Sequence, residues 1–129
     1  GRSIQGLESK HRLGFSVSMS GDGARVAVGA PRGNGGTGSA SLHEYDGTDW
    51  TLFGGGIVVS ENVGDRAGFS VSLSNDGSTL AVGAFASSRG DLMKNGSVSV
   101  YTIDSSSSLV NQGGILVGPS DGAQFGYSV

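Results

Sequence analysis

The chain has 129 residues, a formal net charge of −3, 25 glycines, no cysteine and 15% charged residues. Without cysteine it has neither a disulfide framework nor thiolate metal sites. The basic residues are scattered along the sequence, which argues against nucleic acid as a partner. No apolar run approaches the roughly 18 residues of a membrane span. Few large side chains remain, so the composition favours many short, closely stacked sheets.

A ten-residue segment recurs along the chain. Residues 14–23 return as 68–77, an offset of 54, and the pattern starts again 58 residues later at 126–129. Self-similarity at this period is typical of repeat architectures, in which one unit cannot bury its apolar face alone. We therefore predict four parts: residues 1–13 as the final strand and loop of a preceding repeat, 14–67 as repeat 1, 68–125 as repeat 2, and 126–129 as the first strand of a third.

Each repeat is predicted to contain four strands, because apolar residues alternate with polar or small ones at a period of two. After first strands that begin at Phe15 and Phe69, the predicted strands are Arg25–Ala30, Ser39–Tyr45, Trp50–Val59, Thr79–Ala84, Ser97–Ile103 and Leu109–Val117. Glycines at 54–56 and 113–114 predict a bulge or a sharp bend in each of the fourth strands. The predicted fold is all-β, with tandem four-stranded antiparallel sheet repeats that are either propeller blades or an open stacked β-repeat array.

Small residues occupy one face of the second strand in both repeats. Ala27 and Gly29 share that face in repeat 1, and Ala81 and Gly83 share it in repeat 2. Because these side chains are small or absent, a neighbouring sheet can come close there. The serines of the first strands favour the same tight packing, with attached sugars as the alternative.

Two short elements recur in phase along the chain. One contains Phe and Gly, at Gly14-Phe15, Gly68-Phe69 and Phe125-Gly126, and the other is Gly29-Ala30-Pro31, which becomes Gly83-Ala84-Phe85. With these Phe-Gly and Gly-Ala-Pro elements the chain resembles the FG-GAP repeat, best known from the seven-bladed propeller of integrin α subunits and found in secreted and surface proteins of bacteria and algae. The resemblance covers essentially the whole chain. It implies a β-sheet repeat and an extracellular or cell-surface location.

Integrin-type repeats often carry a calcium loop that is rich in Asp and Asn. The equivalent turns here hold one aspartate each, Asp22 and Asp76. Calcium takes six to eight oxygen ligands, several of them from carboxylates. These two residues are the calcium candidates of the chain, but we favour ordinary turn residues and expect no cofactor.

Three loop segments are candidate recognition or modification sites. Arg89, Gly90 and Asp91 form either an integrin-recognition tripeptide or a polar turn. Asn95 begins an N-glycosylation acceptor pattern, although Asn-Gly is also a favoured hairpin turn. The run Ser105, Ser106, Ser107 and Ser108 is either an O-glycosylated tract or a flexible turn.

The sequence does not favour catalysis. His11 and His43 are the only imidazoles, neither recurs in the second repeat, and no Gly-x-Ser-x-Gly motif is present. We expect a non-enzymatic extracellular structural protein that forms a surface scaffold, adhesive stalk or filament by sheet stacking and edge-strand pairing. Its expected partners are neighbouring repeats or copies of itself, with glycans on the outside. The alternative is a closed integrin-α-like propeller that binds a protein or carbohydrate through the variable loops 31–38 and 85–96.

Overall fold

The computed structural model describes residues 3–5 and 10–129, and these residues form an all-β fold. In chain order the strands are β1 (Ser16–Met19), β2 (Arg25–Ala30), β3 (Ser39–Tyr45), β4 (Trp50–Val59), β5 (Ser70–Leu73), β6 (Thr79–Ala84), β7 (Ser97–Ile103) and β8 (Leu109–Val117). A single turn of 3₁₀ helix, Asn34–Gly36, lies between β2 and β3. The six strands predicted with both bounds are confirmed residue for residue.

The strands form two four-stranded antiparallel sheets in tandem, β1-β2-β3-β4 and β5-β6-β7-β8. Neither sheet closes into a barrel. In the first sheet the register shifts between Ser41, which pairs with Ile57, and His43, which pairs with Leu52. An equivalent shift interrupts the pairing of β7 with β8. The bulge or bend predicted from the glycines of each fourth strand is therefore confirmed.

The partial repeats predicted at the two ends of the sequence stay predictions. Residues 126–129 are not part of a strand. A segment is part of a β-strand only when it hydrogen-bonds to a neighbouring strand. The described residues contain no partner strand for 126–129 of the kind that β2 provides for β1 and β6 for β5. Residues 3–5 also lie outside any strand. Residues 1–2 and 6–9 fall outside the described part, so a preceding repeat over 1–13 stays a prediction.

The core lies between the two sheets. In the first sheet Ala27, Ala40 and Leu42 share one face, because Ala27 pairs with Leu42 and Gly29 pairs with Ala40. This face packs on one face of the second sheet, whose buried members are Val71, Leu73, Leu80, Val82 and Ala84. Each sheet buries one face against the other, as expected for a repeat architecture.

Antiparallel order gives the stacked sheets two distinct ends. The hairpins β1–β2, β3–β4, β5–β6 and β7–β8 lie at one end, which we call the turn end. The connections 31–38, 60–69 and 85–96 and the segment 118–126 lie at the other, which we call the loop end. Contacts between the sheets align the equivalent ends of both sheets. The Gly21 amide donates to the Asn75 carbonyl at the turn end, and Gly38 forms a β-bridge with Ala67 at the loop end.

Candidate functional site

A serine and a glycine of the first sheet meet the backbone of the following repeat. The Ser16 hydroxyl donates a hydrogen bond of 2.9 Å to the Gly68 carbonyl. Gly29 lies against the same group, and a Cβ at position 29 would collide with the Gly68 carbonyl oxygen and with Ser16 Oγ. The close approach predicted from the small face of β2 is therefore present, and glycine is required for it.

The same arrangement recurs one repeat later. The Ser70 hydroxyl donates to the Gly126 carbonyl at 2.8 Å, and a Cβ on Gly83 would collide with that carbonyl and with Ser70 Oγ. The glycine of each Gly-Ala-Pro element thus faces the glycine that follows in the next Gly-Phe or Gly-Tyr element. The spacing of the motif is explained by contact between consecutive repeats.

An arginine joins the sheets at the turn end. Arg25 donates from Nη1 to the Gly77 carbonyl of the second sheet at 3.1 Å and forms an ion pair of 3.0 Å with Glu44. Its guanidinium also lies 4.4 Å from the ring centroid of Phe53, a cation–π distance. Thr79 occupies the equivalent position of repeat 2. This tie is therefore specific to the first interface, and the repeat pattern does not predict it.

Aromatic rings from successive repeats form a column. Phe15 and Tyr127 each lie with their ring centroids 4.9 Å from that of Phe69, the residue equivalent to them in repeat 2. Phe85 joins the column at 4.3 Å from Phe69 and 5.4 Å from Tyr127. Phe85 stands where the first repeat has the proline of its Gly-Ala-Pro element, so the departure from the motif gives the column a fourth ring.

Strand β1 is exposed on the outer face of the first sheet, whereas Val26 and Val28 of β2 on the same face are buried. Val17 and Met19 in β1 are 63% and 56% exposed, whereas their equivalents Val71 and Leu73 in β5 are each 7% exposed. The difference arises because the first sheet covers β5, and no described residue covers β1 to the same extent. The chain therefore exposes an apolar strand face that its second repeat buries.

The calcium candidates Asp22 and Asp76 accept hydrogen bonds from serines within their own turns. Asp22 accepts a hydrogen bond of 2.6 Å from the Ser20 hydroxyl, and Asp76 accepts one of 2.6 Å from Ser74 and further bonds from Ser78. The bond from Ser74 contributes most to lowering the pKa of Asp76 to about 2, and the bond from Ser20 likewise lowers the pKa of Asp22. Among the described residues, no three His, Asp or Glu side chains are placed so that they could hold a metal ion together.

The arginine of the Arg-Gly-Asp tripeptide is held within the protein. Its side chain is 16% exposed, with Nη2 lying 3.4 Å from Asp65 and Nη1 lying 3.3 Å from Glu61. Gly90 and Asp91 are exposed. Arg89 thus ties the β6–β7 loop to the link between the sheets, and recognition through this tripeptide stays a prediction.

The two glycosylation candidates lie in different surroundings. Asn95 is fully buried, its Nδ2 donating to the Gly118 carbonyl at 3.1 Å and its Oδ1 accepting from the Arg89 amide at 3.0 Å. A sugar cannot be attached to this nitrogen without opening the loop end. Ser105–Ser108 are exposed in the β7–β8 turn, where the Ser106 hydroxyl donates to Asp104. Of the candidates, only these serines have accessible acceptor atoms.

One serine–histidine pair lies on the outer face of the first sheet. Ser41 Oγ and His43 Nε2 are 2.9 Å apart. Nδ1 of His43 is buried and has no hydrogen-bond partner among the described residues. A Ser-His-Asp site requires an acidic group at that nitrogen to orient the ring. The nearby carboxylate of Glu44 pairs with Arg25 instead.

The burial of His43 predicts a pH dependence of stability. Burial lowers the pKa of His43 in the folded state. The unfolded chain, with a pKa of about 6.5 at this residue, binds the proton more readily. The free energy of unfolding should therefore fall as the pH drops below about 6.5 and level off below the folded pKa. His43→Tyr, which introduces the residue of the equivalent position 101, should remove this fall in urea titrations, and His11→Gln should retain it.

The chain matches no protein-family model and no curated protein sequence. No helix in residues 3–5 and 10–129 is long and apolar enough to cross a membrane.

Proposed function

We propose that this chain is a non-enzymatic structural repeat protein of the extracellular surface, in which stacked sheets build a scaffold, an adhesive stalk or a filament. One observation carries the proposal. The outer face of β1, with Val17 and Met19, repeats the face that β5 buries against the first sheet. An apolar strand face of this kind is a stacking surface, and its natural occupant is another sheet of the same design.

The outer face of the second sheet offers the complementary surface, except at its loop end, where Ser70 and Gly83 already contact Gly126 of the same chain. The residues on this outer face are equivalent to those on the inner face of the first sheet, the face that packs on the second sheet. The equivalent pairs are Ser16 with Ser70, Ser18 with Ser72, Ala27 with Ala81, Gly29 with Gly83, and Ala40 with Val98. Two different complementary faces form a head-to-tail interface, which grows into a fibre unless its rotation closes a ring. The serine run 105–108 lies in a hairpin away from these faces, so sugars there would coat the assembly.

Self-association of the chain tests this proposal. In sedimentation velocity over a concentration series, we expect the wild-type chain to form head-to-tail oligomers, with rods of stacked sheets visible by electron microscopy. The double variant Val17→Glu/Met19→Glu places two charges on the open face of β1 and should remain monomeric. The matched control is Val63→Glu/Met93→Glu, because these residues are 77% and 66% exposed but lie outside the stacked faces.

Two outcomes would contradict the proposal. A wild-type chain that stays monomeric at every concentration has no stacking surface. Oligomers that persist in Val17→Glu/Met19→Glu but dissociate in the control variant form through the loop end instead. Circular dichroism of each variant shows whether its sheets are intact.

The second candidate is a closed propeller that binds a ligand through its variable loops. A specific observation favours this alternative: grooves of about 480 and 730 Å³ open at the loop end of the two repeats. Closure into a ring would bring such grooves together on one surface, the arrangement by which propellers present loops to a ligand.

A further inference from the structure

Charge is separated between the two ends of the sheets. Among the described residues, the turn end carries six acidic side chains (Asp22, Glu44, Asp46, Asp49, Asp76 and Asp104) and one basic side chain, Arg25. The loop end carries six basic side chains and four acidic ones (Glu61, Asp65, Asp91 and Asp121). Although the net charge is only −3, acidic side chains predominate at the turn end and basic side chains at the loop end.

Three basic residues line the groove of repeat 1. Lys10, Arg12 and Arg32 surround a cleft of about 480 Å³, and all three are exposed. The ion pairs of the described residues engage Arg25 and Arg89 instead. These three charges are therefore available to a ligand.

The groove of repeat 2 combines basic, aromatic and polar residues. Arg66 and Lys94 line a cleft of about 730 Å³ together with Asp65, which is paired with Arg89. The Arg66 guanidinium lies 5.8 Å from the ring centroid of Phe85. Ser88 and Gln124 supply hydroxyl and amide groups to the same cleft. The combination offers cations for an anionic group and hydrogen-bonding partners for hydroxyls.

The two grooves are built by the same local structure. Arg12, Arg66 and Gln124 occupy the same position in successive repeats and share positive φ values of 56°, 63° and 52°. In each case the carbonyl of this residue accepts a bond from the amide three residues later. The turn thus presents its side chain at the loop end in every repeat, and two of the three side chains are arginines.

We infer that the loop end binds an anionic polysaccharide, one whose sulfate or carboxylate groups reach both grooves. The acidic turn end lies about 20 Å away for a six-residue strand, beyond the screening length of about 8–10 Å at physiological salt. A ligand at the loop end therefore meets a basic surface. This inference does not depend on whether the sheets form an open stack or a ring.

The grooves suit a sugar polymer better than a nucleic acid. Single-stranded nucleic acids bind on rows of exposed aromatic rings, with a continuous basic track for closely spaced phosphates. Here five cations are divided between two clefts, and the aromatic ring of the second cleft already lies beneath an arginine. The widely spaced cations of the two clefts, with Ser88 and Gln124 to bind hydroxyls, suit a polysaccharide in which charged and uncharged sugars occur together.

Binding to dextrans that share one backbone tests the inference. Isothermal calorimetry of the wild-type chain at low salt should show binding to dextran sulfate or carboxymethyl dextran, or to both, and none to unmodified dextran. The response to each polymer identifies the anionic group. Arg12→Gln/Arg66→Gln introduces the residue found at position 124, and it should weaken binding about tenfold and reduce the salt dependence by about two counterions.

The matched control lowers the net charge by the same two units at the opposite end. Thr48→Glu/Ser105→Glu changes two exposed turn-end residues and should leave affinity within about twofold. The inference is overturned if no anionic dextran binds, if unmodified dextran binds equally well, or if Arg12→Gln/Arg66→Gln binds as the wild type does. Tighter binding to a single-stranded DNA oligonucleotide than to every anionic dextran would also overturn it.

Discussion

Gly29→Ala should destabilise the protein by about 2–4 kcal/mol, since it places one methyl group in a close backbone contact between the repeats. The new Cβ would collide with the Gly68 carbonyl oxygen and with Ser16 Oγ. The serine can rotate away, but the carbonyl belongs to the backbone of the next repeat. The sheets must therefore separate locally, and the hydrogen bond from Ser16 to Gly68 is lost with the contact.

Urea titrations followed by circular dichroism measure this effect. Gly47→Ala is the control, because Gly47 has a φ of +97° and open space around its Cβ position. It carries only the backbone strain of a left-handed residue, about 1–2 kcal/mol. Ser16→Ala/Gly29→Ala removes the serine but not the carbonyl, so it should not recover stability. Equal losses in Gly29→Ala and Gly47→Ala would show that the close approach of the repeats has no energetic role.

The sequence predicts the sheets well because each strand repeats a local pattern. Alternation of apolar and small residues in β2 and β6 defines two faces, and the turns at 21–23 and 75–77 give the strand ends. Repetition supplies a second, independent copy of every assignment. Gly29 could be placed at a close contact for the same reason, because its equivalent Gly83 keeps the small residue while Val26 of the same strand becomes Leu80.

The features that the sequence does not predict depend on which segments meet in space. Arg12 and Arg32 are far apart in the sequence and meet only because β1 begins where β2 ends. The tie from Arg25 to Gly77 requires the turns of both sheets to lie at the same end. Asn95 fits a surface acceptor pattern, yet it is buried, and its side-chain amide donates to the Gly118 carbonyl. The contacts of Arg25 and Asn95 do not recur in the other repeat, so no internal comparison reveals them.

Leu80→Ala should lower the free energy of unfolding by about 2–5 kcal/mol, because Leu80 is fully buried between the two sheets and truncation leaves a cavity. Leu116→Ala in β8 is the control, since this side chain is 56% exposed and should cost less than about 1 kcal/mol. Guanidinium titrations read by far-ultraviolet circular dichroism give both values. The experiment also tests whether the two sheets unfold together.

Trp50 is the only tryptophan of the chain, and it lies in β4 of the first sheet, whereas Leu80 lies in the second. If stacking makes the sheets one cooperative unit, Leu80→Ala must shift the Trp50 fluorescence transition as far as the circular dichroism transition. In that case the folded state of the first sheet is stabilised by packing against the second sheet, as expected when each repeat is covered by its neighbour. A Trp50 transition that stays in place while the circular dichroism transition shifts would mean that each sheet folds alone, and the inter-sheet core would not be the origin of stability.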